Sequence, residues 1–516
     1  MEHRQTHLTQ TYARLLIDCR SALIAALALA PLIALPTLAR ATLPEIPQGV
    51  SVLNTIGDKG LRDGILGNSD VAMISIFEGW ADIQPDASSF DFTNLDDTIT
   101  TIEAYPDKSI LLRLPSMGGS QANLGNTPDW VFWAMGVDPL PTDATPGTTY
   151  SFTDSNLLKR CIPVFWQPVY LAKKKALIAM AGAHFANDSA IKIVGISYAN
   201  AISEDWNVPN DDTVSPSEVE LWLNPPDDPL VPGAGYTTQK VIDAAIHQAD
   251  ASFTDGVITG GTTLTSLSAT FTQADIGCLV TGRGYRANTH IIAWISPTQV
   301  SLDQRASRKK AANFTIVARR DGLIDVAMAA FPNQYISGAV GGNGPELDFD
   351  YGNAHGEDPG TCLAETVDNL AQQLYPGRYI VQRNNVSATI PTKEEQDGST
   401  AWILLSEAAD AGIPTAGQAL GPCWSNAEFP DYRMNGGNNC DHDNPDCTPT
   451  DNMCEGDCAL DFLHILERSA DKIATYSARY YEIYPPDASN LKDGVTYIHN
   501  LLNPPDRPKS RRLEHH

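Results

Sequence analysis

Eight short apolar runs recur along the chain, and their spacing constrains the fold more than any other feature. They are Gly49–Leu53, Val71–Phe77, Ser109–Leu114, Ile191–Tyr198, Tyr335–Val340, Tyr379–Gln382, Pro414–Leu420 and Tyr480–Tyr484. Most are continuous rather than alternating, as strands buried on both faces must be. Helical patterns stand between many of them: Leu171–Phe185, Thr361–Leu374, Ala401–Ala411 and Leu460–Tyr476. Strands that alternate with helices imply parallel βα units. Eight such units close most economically as a (β/α)8 barrel, so the expected class is α/β, a TIM barrel.

One stretch breaks the rhythm. From 251 to 319 the helical pattern is missing, and short Thr-, Val- and Ile-rich runs alternate with turn residues. This predicts a small all-β module. Helical patterns flank it at Thr237–Asp250 and Asp321–Phe331, so it is expected as an insertion in one barrel connection. The barrel would then comprise residues 44–250 and 320–505. The phrase TLTSLSATFTQADIGCLVTGRG (263–284) resembles small β modules of phage tail spikes and bacterial surface proteins. That resemblance implies nothing about catalysis.

The ends read as processing signals. Arg4, Arg14 and Arg20 precede the apolar run Ala22–Pro36, and Ala39-Arg40-Ala41 follows. Residues 1–41 are therefore expected to be a secretory signal peptide. The run is short and holds two prolines, which disfavours a membrane span. The expected location is secreted or periplasmic, with no membrane association after cleavage. Residues 513–516 (Leu-Glu-His-His) resemble the start of a purification tag. Eight cysteines remain beyond Cys19, five of them between 423 and 458. An even number in an exported chain implies disulfides, with the pairing left open. Zinc is the rival reading there, though the spacings do not form a paired CxxC site. Asp441, Asp443 and Asp446 resemble part of a calcium loop, so a structural calcium is possible chemistry, but the glycine and closing glutamate of an EF-hand are missing. No catalytic metal or cofactor is expected.

Charge excludes some partners. The 35 Lys+Arg against 62 Asp+Glu leave a net charge of −27, which repels phosphate backbones and anionic membranes. Nucleic-acid binding is not expected. The basic run Arg305-Ala-Ser-Arg-Lys-Lys310 reads as a solvated loop.

In a parallel barrel, reactive groups follow the C-terminal ends of strands. The second run is followed by Glu78 and Trp80, then Ile83-Gln84-Pro85, Phe90-Asp91-Phe92 and Leu95-Asp96. Pro128-Asp129-Trp130 follows the third run. The order Trp, Ile-x-Pro, Phe-Asp-Phe, Leu-Asp resembles the second βα unit of clan-A glycoside hydrolases, especially the β-galactosidase-like barrels. The resemblance implies hydrolysis of glycosidic bonds in an extracellular oligo- or polysaccharide, with an acid/base after the fourth strand. The sequence departs from the pattern in three places. Gln84 stands where the clan has Glu, Asn200 is separated from Glu204, and the seventh strand holds no acid, the nearest later one being Glu428.

Glycoside hydrolysis needs one carboxyl that donates a proton and one that is ionised. Glu204 is the expected acid/base, with an exposed loop acid as its alternative role. Glu482, embedded in the eighth run, is the expected nucleophile or general base. Its alternative role is a structural pairing with Arg113 or Arg383. Glu346 and Glu78 are further candidates, Glu78 as either a mouth acid or a helix cap. Trp80, Trp206 and Trp424 are candidate stacking surfaces for a sugar ring. Asn200, Gln382, Asn384 and Gln418 are candidate hydroxyl-binding amides. A non-catalytic glycan-binding or surface protein on the same scaffold is the competing expectation, and a polysaccharide lyase is a third. The sequence leaves the oligomeric state open.

Overall fold

The computed structural model describes residues 43–55, 64–114, 127–139, 144–153, 159–196, 218–246, 250–259, 261–269, 271, 275–306, 312–317, 321–340, 363–388, 390–395, 400–419 and 458–504. The first strands are β1 (Gly49–Thr55), β2 (Val71–Phe77), β3 (Ser109–Leu114), β4 (Thr149–Thr153), β5 (Lys159–Pro163) and β6 (Ile191–Ile196). A second group follows: β7 (Ala251–Thr259), β8 (Thr263–Thr265), β9 (Leu279–Gly282), β10 (Thr289–Ser296), β11 (Gln299–Leu302) and β12 (Ala312–Val317). The last are β13 (Tyr335–Val340), β14 (Tyr379–Val386), β15 (Thr415–Ala419) and β16 (Ala478–Ile483).

Eight of these strands close a barrel in the order β1-β2-β3-β6-β13-β14-β15-β16 and back to β1. Every neighbouring pair is parallel. The eight strands coincide with the eight apolar runs, within a few residues at each end. The fold is a (β/α)8 barrel. The expected helices are also present, as Pro168–Phe185, Leu363–Leu374, Thr400–Asp410 and Cys458–Ala474. The antiparallel pair β4–β5 was not foreseen.

Strand alternation sorts the barrel side chains into two sets. Ile74, Ile76, Leu112, Val194, Ile336, Val381, Tyr481 and Ile483 face outward and share one large core with the helices. Met73, Leu111, Ile193, Tyr335, Ile380, Ala416 and Tyr480 form a separate cluster inside the barrel. Leu43 and Ile46 pack against this inner layer, and the Tyr335 hydroxyl donates to the Pro44 carbonyl at 2.9 Å. The segment before β1 therefore closes the end of the barrel at which the strands begin.

The β module is a second closed barrel, in the order β10-β11-β8-β7-β12-β9, with antiparallel pairing. Its own core includes Ile258, Leu264, Phe271, Val280, Ile291, Val300, Leu302 and Phe314. The chain leaves the large barrel after the helix Thr238–Ala245 and re-enters it at the helix Leu323–Ala330. A Cβ on Gly322 would lie 2.6 Å from the Ile246 Cα and 2.7 Å from the Ala245 carbonyl. Entry and exit thus touch, with Gly322 required by the close approach. Adjacent ends are what allow a module to be inserted without distorting its host.

The helix Pro168–Phe185 starts with a Gln167 side chain that accepts from the Tyr170 N–H at 2.7 Å and with Pro168 in its first turn. Its buried face carries one cation, Lys174, which is 1% exposed. The ammonium lies 5.8 Å from the Tyr170 ring centroid. Burial lowers its pKa from 10.5 to about 7. A lysine whose folded pKa is depressed destabilises the fold below the folded value, and the penalty fades as pH rises to the unfolded value. Lys174→Met should therefore stabilise the protein by a few kcal/mol near neutral pH. Denaturant unfolding between about pH 7 and pH 10.5 should show wild-type stability rising more steeply than that of the variant. Equal slopes would show that Lys174 finds compensation.

Candidate active site in the barrel lumen

Above the inner apolar layer, the next lumen positions are polar. They are Ser75 on β2, Arg113 on β3, Ser337 on β13, Gln382 on β14, Gln418 on β15 and Glu482 on β16, each 3% exposed or less. The same alternation that points Met73 and Tyr480 inward points Ser75 and Glu482 inward two residues later. An unpartnered charge here would be costly, so the layer is knit together.

Arg113 is its centre. Its guanidinium donates to the Ser75 hydroxyl at 2.8 Å, to the Gln418 amide oxygen at 3.4 Å, and to Glu482 in an ion pair. In ring order β3 and β15 are diametrically opposed, so Arg113 spans the lumen. Gly195 on β6 is paired in register with Arg113, and a Cβ there would lie 3.3 Å from the Arg113 Cγ. Gln418 and Glu482 are register partners on β15 and β16.

A second hub is Gln382. Its amide oxygen accepts from the Ser337 hydroxyl at 3.2 Å and the Tyr480 hydroxyl at 2.9 Å, and its NH2 donates to the Asn384 oxygen at 2.9 Å. Burial pushes the Tyr480 hydroxyl above its ordinary pKa, so it remains a donor. Arg383, between the two amides, points out of the barrel to Asp368 at 2.7 Å.

The structure thus brings together four of the expected residues, Glu482, Gln382, Asn384 and Gln418. For Glu482, the pairing with Arg113 is the one found, and the Arg383 alternative is not. Trp80 is corrected as a stacking surface. It is fully buried, its indole N–H donates to Gln84 at 3.0 Å, and Trp130 and Tyr170 pack on it at 6.3 and 5.9 Å. Gln84, which replaces the glutamate of the resembled pattern, is the acceptor that anchors this indole. Glu78 meets Asn94 at 2.7 Å on the helix Thr93–Glu103, and burial raises its pKa. That contact is between side chains and caps neither adjacent helix, and it does not join Glu78 to the hubs on Arg113 and Gln382. Glu204, Asn200, Trp206, Trp424 and Glu346 lie outside the described residues, as does the signal-peptide segment and most of the cysteine-rich stretch. No helix among the described residues is long and apolar enough to cross a membrane.

Sequence reading missed Ser75, Ser337 and Tyr480. Alternation fixes which way they face only once the ring is closed, so the runs by themselves did not mark them. Chemically, the layer offers an ion-paired carboxylate, a guanidinium and neutral amides to a polar ligand entering from the strand C-termini. The Glu482 charge is already met by Arg113, so the layer does not resemble a cation site.

No protein-family profile and no curated protein matches the chain. Among solved structures, the β-amylase catalytic domain from Paenibacillus polymyxa is similar at 12% identity and TM-score 0.41, over 88% of this chain and 99% of that one. The β-galactosidase from the psychrophilic Marinomonas ef1 is similar at 10% identity and TM-score 0.38, over 88% of this chain and 59% of that one. A GH5-4 broad-specificity endoglucanase from an uncultured bacterium is similar at 10% identity and TM-score 0.37, over 87% and 85% of the two chains. These likenesses are distant.

The lumen ion pair sets a stability test. Arg113→Met takes the guanidinium partner from the buried Glu482 carboxylate and should cost about 3–5 kcal/mol in chemical denaturation, whereas Arg113→Met with Glu482→Leu should recover most of the loss. A double variant no more stable than the single one would show that the pair is not the organising contact.

Proposed function

We propose that the protein is an exported glycoside hydrolase that cleaves an extracellular oligo- or polysaccharide in the mouth of the large barrel. The observation that carries this reading is the polar layer. A carboxylate, Glu482, stands among a guanidinium and the amides Gln382, Gln418 and Asn384, toward the end of a parallel barrel where active sites are built. Amides that both donate and accept suit sugar hydroxyls. A carboxylate paired with arginine suits attack at an anomeric carbon or activation of water, not proton donation. The proton donor would be Glu204, in the segment that follows β6. In ring order β6 stands opposite β16. Asn200, Trp206 and Trp424 would complete the sugar subsites. Export rests on the N-terminal pattern of basic residues, apolar run and small-residue cleavage site. The cysteines of the stretch 423–458 would then be paired as disulfides.

One observation favours a second reading. Glu482 is 0% exposed and held by Arg113, which suits a barrel that binds glycan without cutting it.

The test is reducing-end release from a panel of neutral and acidic polysaccharides and aryl glycosides. The hydrolase reading expects cleavage of at least one substrate, and losses of about a hundredfold or more in Glu204→Gln and in Glu482→Gln. Cleavage that survives Glu204→Gln would move the proton donor, with Glu346 next. Binding on a glycan array without cleavage of any bound sugar would establish the second reading.

A further inference from the structure

The inserted barrel carries charge of the opposite sign to the rest of the chain. Residues 251–317 hold Arg283, Arg286, Arg305, Arg308, Lys309 and Lys310 against Asp255, Asp275 and Asp303, with no glutamate. The module is therefore +3 in a chain of −27, and the remainder is −30.

The charges are also sorted within the module. In this antiparallel barrel, the β7–β8, β9–β10 and β11–β12 connections share one end, and the β8–β9 and β10–β11 connections share the other. The described cations, Arg283, Arg286 and Arg305, lie in the β9–β10 and β11–β12 connections. Two bonds from the Gln304 amide, to the Ala287 and Asn288 carbonyls at 3.3 and 2.7 Å, tie these two connections together. The third connection joins them, since the Ala306 N–H donates to the Gly261 carbonyl at 2.9 Å and the Arg305 stem crosses Gly261. Arg283, Arg286 and Arg305 are exposed, and none forms an ion pair among the described residues. The acids are elsewhere or engaged. Asp255 holds the β8–β9 connection through Ser266 and Ser268, Asp275 lies in that same connection, and Asp303 faces His290 at 3.3 Å.

We propose that this end of the inserted barrel is a binding surface for an acidic polysaccharide, one whose sugars bear carboxylate or sulfate groups. This rests on the hydrolase reading only for the kind of polymer, because binding here needs no turnover. Guanidinium forks match carboxylate and sulfate oxygens in paired hydrogen bonds. At physiological ionic strength the screening length is about 8 Å, so a ligand at this end feels chiefly the charges within that reach, the three arginines among them. Among the described residues of these connections the one aromatic ring, Tyr285, packs 6.3 Å from Phe314 rather than standing free for base stacking. Arg305, the first residue of the basic run that reads in sequence as a solvated loop, thereby acquires a role in holding an anionic chain.

Affinity electrophoresis of the whole protein tests this with polygalacturonate, neutral galactan and duplex DNA as probes. Wild type should be retarded by polygalacturonate, and raised salt should weaken binding about tenfold or more. Arg283→Ser/Arg286→Ser/Arg305→Ser should lose about tenfold or more in affinity while keeping its unfolding midpoint, and the corresponding triple lysine variant should retain most of it. Retardation is read without turnover and so is scored alike whether or not the protein cleaves any sugar, which separates failure of this surface from failure of the hydrolase reading. The proposal is overturned if the triple serine variant binds polygalacturonate unchanged, or if galactan binds equally well. It is also overturned if DNA is the tighter ligand, or if the patch serves only salt-sensitive self-association.

Discussion

A guanidinium placed in the middle of a closed barrel has to be answered from several directions at once, and Arg113 is answered from three strands. Ser75 meets it on β2, Gln418 on β15 and Glu482 on β16. Because those strands are scattered around the ring, their relative positions are tied by one charge-assisted contact across the lumen. The apolar layer underneath, from Met73 to Tyr480, keeps water from that end and makes the pairing compulsory. Gly195 leaves room for the arginine stem. The amide hub on Gln382 then joins β13, β14 and β16 to the same layer. Together these residues form a preorganised polar floor beneath the mouth of the barrel.

Much of this architecture was legible in the residues. Strands buried on both faces cannot hide as alternating patterns, so Val71–Phe77 and Ser109–Leu114 announce themselves as continuous apolar runs. The inserted barrel was legible for the converse reason, since its short Thr- and Val-rich runs carry no helical period. The β4–β5 pair was not, because TYSFT and KRCIP are short, half-polar and flanked by loop residues. The site was legible in part. Glu482 drew notice as an acid in an apolar strand, and Arg113 followed as its partner. Ser75 and Ser337 did not, because a serine in a strand has no distinctive spacing and only the closed ring shows what it faces. Trp80 misled because an aromatic just after a strand looks identical whether it lines a mouth or fills a core. Gln84 and Trp130 decide that it fills a core.

The insertion adds a second layer of organisation. Its ends meet at Ile246 and Gly322, so it joins the host at a single stem and keeps its own core. Its described arginines, Arg283, Arg286 and Arg305, gather at one end, while Asp255 meets Ser268 and Asp303 meets His290. A strongly acidic chain therefore holds one local surface suited to anions, while its barrel lumen is built from neutral amides around a compensated charge. Under the two proposals, the two surfaces would ask for different features of one polymer, its charged groups and its hydroxyls.

The central claim is that the polar floor of the large barrel receives a sugar ring. The most direct test is a crystal structure of the Glu482→Gln protein grown with the oligosaccharide that the wild type binds or cleaves most strongly. The account predicts a sugar in the barrel mouth, with hydroxyls within hydrogen-bonding distance of Gln382, Asn384 or Gln418. Sugar bound only on the inserted barrel, with the mouth holding none, would contradict it.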